Sequence, residues 1–193
     1  MRRLYNFAFA IDQDFARCSM HMNTSTLFSS LFAYKAWANQ ELFAAVMTLD
    51  ETTQQAERHA ATRILNHIAT VDRIFVANLQ GATHDFTATN TADTPSLADL
   101  RDAVQATDAW YQAYVETIAP AALDETIEFV FTDGQLAHMS RAEMLMHVIT
   151  HGGYHRGAVG RVLVQLSVKP PRDTLTVFLH STEPSRRERG TIR

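Results

Sequence analysis

The sequence predicts an all-α protein of four amphipathic helices with a short β-hairpin ahead of the fourth. Three observations carry this prediction. Apolar residues recur at three- and four-residue spacing in three separate stretches, helix-starting or helix-stopping residues mark those and a fourth, and the segment between Thr126 and His138 instead alternates apolar with polar. At 193 residues the chain fits one domain with loose ends.

The first helix is expected from Leu27 to Leu49, where Leu27, Leu31, Tyr34, Ala38, Leu42, Ala45 and Leu49 form one stripe behind the cap-forming run Asn23-Thr24-Ser25-Thr26. The second runs from about Arg58 to Leu79 with Ile64, Ile68, Val71, Phe75 and Leu79 on its inner face, and Gly81 stops it. That inner face includes His67. Residues 82–95 are rich in Thr, Ala and Asp without periodicity and read as a loop. Ser96 and Asp99 then open the third helix, whose stripe is Leu97, Leu100, Val104, Trp110 or Tyr111, Tyr114 and Ile118; Pro120 ends it.

Ile127, Phe129 and Phe131 alternate before Asp133-Gly134, a hairpin signal. Ser140 with Glu143 forms a capping box that starts the fourth helix, which runs to about Leu166 before Pro170 and Pro171. Residues 1–22 show no sustained periodicity and are read as a leader, disordered or upstream of the true start, with Met20 and Met22 as alternative starts. The domain is assigned to residues 23–182. Residues 183–193 are read as a disordered charged tail.

Composition excludes several function classes. With 46% hydrophobic and 20% charged residues the chain has the makings of a substantial core. A net charge of −4 leaves no surplus of Lys and Arg for general phosphate contacts, so no nucleic acid is expected as partner. Cys18 is the single cysteine and cannot form an intramolecular disulfide, which points to a reducing cytoplasm. Asp12 and Asp14 interrupt the N-terminal apolar run before it reaches signal-peptide length, and no apolar stretch of about 18 residues exists, so no membrane span is expected.

Of nine histidines, His147, His151 and His155 lie four residues apart in the fourth helix, within HVITHGGYHRG. Each step of four turns the direction by about 40° and rises about 6 Å, so neighbours in the trio share a face while its two ends are too far apart for one ion. A single metal takes His147 with His151, or His151 with His155. Neutral imidazole suits zinc, nickel, copper and iron, and two ligands from one helix need a third from elsewhere. His67 is the best candidate, since it sits among Ile64, Ile68 and Val71, whereas His59, His84 and His180 fall at a helix start, in a loop and near the tail. Taken alone, His67 reads as a hydrogen-bonded core residue; the spaced pair on the fourth helix is what favours the ligand reading. Tyr154 and Arg156 flank His155 as possible substrate contacts. Arg156 could equally pair with an acidic residue such as Asp72, and Tyr154 could fill the core. Trp37 and Asn39 are weaker candidates for a site wall.

The segment HVITHGGYHRG is similar to the fourth-helix signature of the DinB (damage-inducible, YfiT-like) superfamily. LFAYKAWANQELF resembles that family's opening pattern, and RILNHIATVDRIF its second-helix ligand segment. The resemblance covers about residues 27 to 180. It implies a four-helix bundle with a short hairpin before helix four, and a metal site of His67, His151 and His155, with His147 one turn away as a supporting residue or alternative ligand. Ala158 and Ser167 depart from the family pattern, where glutamine and glycine are usual, but neither is a proposed ligand. Relatives in the superfamily include thiol-dependent transferases and isomerases, which implies one divalent ion, zinc or nickel, with an open coordination position and a low-molecular-weight thiol as co-substrate. The expected function is a metal-dependent enzyme of transferase, isomerase or hydrolase class acting on a small molecule as a homodimer. The alternative is a non-catalytic metal-containing stress or structural protein.

Overall fold

In the computed structural model, which describes residues 24–187, α1 (Thr24–Met47), α2 (Gln55–Gln80), α3 (Leu97–Thr117) and α4 (Arg141–Gln165) form the bundle. Strands β1 (Thr126–Val130) and β2 (Leu136–Ser140) pair antiparallel between α3 and α4, from Thr126 opposite Ser140 to Val130 opposite Leu136. A short helix, α5 (Leu175–Thr182), follows α4. Helix α1 packs on α3 and α4, and α2 packs on α4 and α3. The leader and Asn23 lie outside the described residues, as do residues 188–193 of the tail; Pro184–Arg186 form a turn of 3-10 helix.

The helix ends follow their local chemistry. Ser140 accepts a hydrogen bond from the Glu143 backbone N–H while the Glu143 carboxylate accepts one from the Ser140 N–H, the capping box expected from sequence. Ser96 caps α3 by accepting from the Asp99 N–H. Helix α2 closes at Gly81, whose φ of +66° lies in the left-handed region that glycine enters without penalty. Two bonds close α2, Ala82 N–H to Ala77 O and Gly81 N–H to Asn78 O, and α4 closes with the equivalent pair, Val168 N–H to Leu163 O and Ser167 N–H to Val164 O, but places Ser167 at a φ of +59°. A glycine would enter this conformation without the penalty a side chain carries. In the hairpin, Gly134 sits at a φ of +87° and its N–H closes a turn on Phe131 O.

Two features differ from the sequence expectation. The buried face of α1 runs through Phe28, Phe32, Lys35, Asn39, Leu42, Phe43 and Val46, rotated by about one residue from the expected stripe. Lys35 and Asn39 are buried at its centre, and a pattern search that counts only apolar residues steps around them. Helix α5 was not expected: it is too short for helical periodicity to show, and it is held by Phe178 packing on Trp37 and Tyr34.

The core has two apolar clusters. One gathers Phe32, Tyr111, Met144 and Val148 with Phe129 of the hairpin; the other gathers Leu42, Val46, Leu65, Leu100 and Leu163. Along α1, α3 and α4 a buried polar layer falls between them, made of Lys35, Asn39, Asp108 and Arg156, and Asp72 of α2 joins it. Lys35 Nζ lies 2.7 Å from Asp72 Oδ2 and 2.6 Å from Asp108 Oδ1. Asn39 donates to Asp108 at 2.8 Å, and Arg156 meets Asn39 Oδ1 at 3.4 Å. Burial works against the Lys35 ammonium, yet the two carboxylates hold its pKa above the ordinary value.

Candidate metal centre

His67 of α2 and His151 and His155 of α4 face one another beside this polar layer. One ligand nitrogen from each lies within 4.8 Å of the others, and among the described residues this is the group of histidine, cysteine or acidic side chains with that geometry. The four-residue step in α4 and the packing of α2 on α4 produce it: the step points two imidazoles in neighbouring directions and the packing supplies the third. His67 and His155 rings lie 4.5 Å apart, as do those of His151 and His155.

The hydrogen bonds set the ring chemistry. His67 Nδ1 lies 2.7 Å from Thr89 O, and a carbonyl only accepts, so Nδ1 carries a proton and, in the neutral ring, Nε2 presents a lone pair. That Nε2 is 3.0 Å from His151 Nε2. Two imidazole nitrogens at this separation need a shared proton or a shared cation between them. His151 Nδ1 is buried and has no hydrogen-bond partner. Burial pushes the His151 pKa down to about 3, with the neighbouring His155, His67, His147 and Lys35 adding to the effect. Burial also lowers His155, with His67 contributing. Both rings are therefore neutral at neutral pH, the form a metal requires, and the donor set fits a borderline divalent ion.

The structure brings His151 and His155, not His147, together with His67. His147 stacks on Phe75 at 4.8 Å and on His151 at 5.2 Å between ring centroids, so it packs behind the group. Tyr154 is 78% exposed and so does not fill the core; its ring stands edge-on to that of His155, with the centroids 5.0 Å apart. Arg156 is buried and pairs with Asp173 at 2.7 Å rather than with Asp72, which faces Lys35. Asn39 belongs to the polar layer, and Trp37 packs against α5. Cys18 lies outside the described residues.

Two elements around this histidine group escaped sequence reasoning. The polar layer carried one signal, the three- and four-residue spacing of Phe32, Lys35, Asn39, Leu42 and Val46. The Thr89 carbonyl carried none, because a main-chain atom has no residue type to betray it.

Protein DinB of Bacillus subtilis (strain 168) is 23% identical over 166 residues, an alignment covering 79% of this chain and 95% of that protein. No solved structure matches the chain. The family model described as DinB family matches residues 22–189, and the chain therefore belongs to the DinB family.

Proposed function

We propose that His67, His151 and His155 hold one divalent ion, zinc or nickel, and that the protein is a metal-dependent enzyme acting on a small molecule with a low-molecular-weight thiol as co-substrate. The observation that carries this is the convergence of three nitrogen donors from two helices, two of them kept neutral by burial and the third with its lone pair aimed at a partner nitrogen. Three protein ligands leave a coordination position for a non-protein group. An ion bound there lowers the pKa of a coordinated water or thiol and polarises a carbonyl, which serves transferase, isomerase or hydrolase chemistry. No cysteine lies among the described residues, and this reading assigns the thiol to a co-substrate.

The chain's own residues divide the remaining work. Tyr154, exposed beside His155, is assigned to the substrate side. Arg156 is engaged with Asp173 and Asn39 and is assigned to fastening the segment between α4 and α5. Helix α4 shows Met146 and Val164 to solvent, 18 residues and five turns apart, in line with Gly153 and Gly157; this flank supports the homodimer reading. No helix among the described residues is long and apolar enough to cross a membrane, and with a single cysteine in the chain we place the protein in the cytoplasm.

The test is the visible spectrum of the cobalt-substituted protein titrated with 2-mercaptoethanol and with imidazole. A thiol-dependent change in the cobalt bands is expected. An unchanged spectrum favours the alternative, an ion that only pins α2 to α4.

A further inference from the structure

We infer that Asn66 is a positioning residue of the metal centre, acting through the loop between α2 and α3, and this rests on the metal-binding reading of His67. Residues 82–95 contain no helix or strand, yet one main-chain atom of this loop, Thr89 O, accepts the hydrogen bond that aims His67. A loop without secondary structure holds a carbonyl in place only where other bonds offset its conformational entropy. Those bonds come from the helix turn that carries His67. Arg63 lies three residues before Asn66 and four before His67, so it neighbours both on the surface of α2.

Asn66 is 3% exposed, and its side-chain amide donates both hydrogens to the loop, one to Asn90 Oδ1 and one to Thr91 Oγ1 at 2.7 Å. Asn90 answers by donating its own amide to Arg63 O at 3.1 Å, which fixes its orientation. Thr91 passes its hydroxyl proton to Asp93 O at 2.6 Å, leaving its oxygen free to accept from Asn66. Arg63 donates to Thr91 O at 2.7 Å. Donors and acceptors match along the whole chain of bonds. Asn90 and Thr91, the two residues clamped by this turn, directly follow Thr89, so the clamp sets where the Thr89 carbonyl points.

The consequence is chemical as well as mechanical. Held by Thr89 O, His67 is protonated at Nδ1 and presents Nε2 to His151; released, it is free to protonate Nε2, which closes the ligand atom. Orientation of a ligating imidazole through its second nitrogen is a general feature of metal sites, and losing the support weakens binding by about 10- to 100-fold.

The experiment uses the full chain, with Asn66→Asp, which keeps the shape and removes both donors, and Asn90→Ala, which removes the loop side of the clamp and leaves α2 intact. Two quantities are read: the His67 tautomer in the metal-stripped protein by nitrogen-15 NMR of the imidazoles, and zinc affinity by competition with a chromogenic chelator. Nδ1-protonated His67 is expected in the unsubstituted protein, with a shift toward Nε2 protonation and a zinc affinity about 10- to 100-fold weaker in at least one folded variant. Unchanged tautomer and affinity in folded variants, or Nε2-protonated His67 in the unsubstituted protein, overturns the inference. If the tautomer behaves as expected but the unsubstituted protein binds no zinc, cobalt or nickel, the clamp stands and the metal-binding reading falls.

Discussion

His67 and His151 meet nitrogen to nitrogen, their Nε2 atoms 3.0 Å apart across the packing of α2 on α4. No second proton fits between them, and burial already holds the His151 pKa near 3 against an ordinary value of 6.5. In the metal-stripped protein this makes stability depend on pH. Between about pH 6.5 and pH 3 the unfolded chain binds a proton at His151 that the folded chain does not, so this contribution is complete above pH 6.5 and is lost as pH falls through that window. The urea midpoint of the metal-stripped protein is expected to fall from pH 7 to pH 4, with a shallower fall in His151→Gln. Equal slopes in the two proteins would contradict the assignment.

Lys35 is fully buried between Asp72 and Asp108, and its loss leaves two buried carboxylates facing each other. Breaking a buried ion pair in this way costs about 3–5 kcal/mol, and Lys35→Met is expected to lose stability on that scale in urea unfolding. Asp72→Asn should cost less. It leaves Lys35 paired with Asp108, and burial already raises the Asp72 pKa while its Oδ1 lacks a partner. The reverse order of the two variants would show that the polar layer is not organised around Lys35.

Ser167 occupies a left-handed conformation at the end of α4, a position where a side chain costs about 1 kcal/mol relative to glycine. Ser167→Gly is expected to raise the urea midpoint slightly, and Gly81→Ala, at the equivalent position of α2, to lower it by a similar amount. Neither residue is in the histidine group, so metal content should stay the same in both variants.

Much of the fold is written in residue patterns that physics reads locally. The stop at Gly81, the caps at Ser96 and Ser140 and the alternation of Ile127 and Phe129 each depend on a few neighbouring residues. The four-residue histidine spacing was legible for the same reason, although spacing alone left His147 and His155 as equal partners for His151. Packing against Phe75 separates them: it takes His147 out of reach and leaves His155 beside His67. The polar layer was not legible because its partners are distant in sequence, with Lys35, Asp72 and Asp108 on three different helices. For Tyr154 the sequence left substrate contact and core filler both open, since helical phase alone did not show that its side chain is exposed.

The measurement that bears most directly on the metal centre is the metal content of purified protein, read together with the same analysis of His67→Ala, His151→Ala, His155→Ala and His147→Ala. One divalent ion per chain is expected in the unsubstituted protein and in His147→Ala, with loss of the ion from the other three, each folded by circular dichroism. Full metal retention in folded His151→Ala would contradict the three-histidine centre.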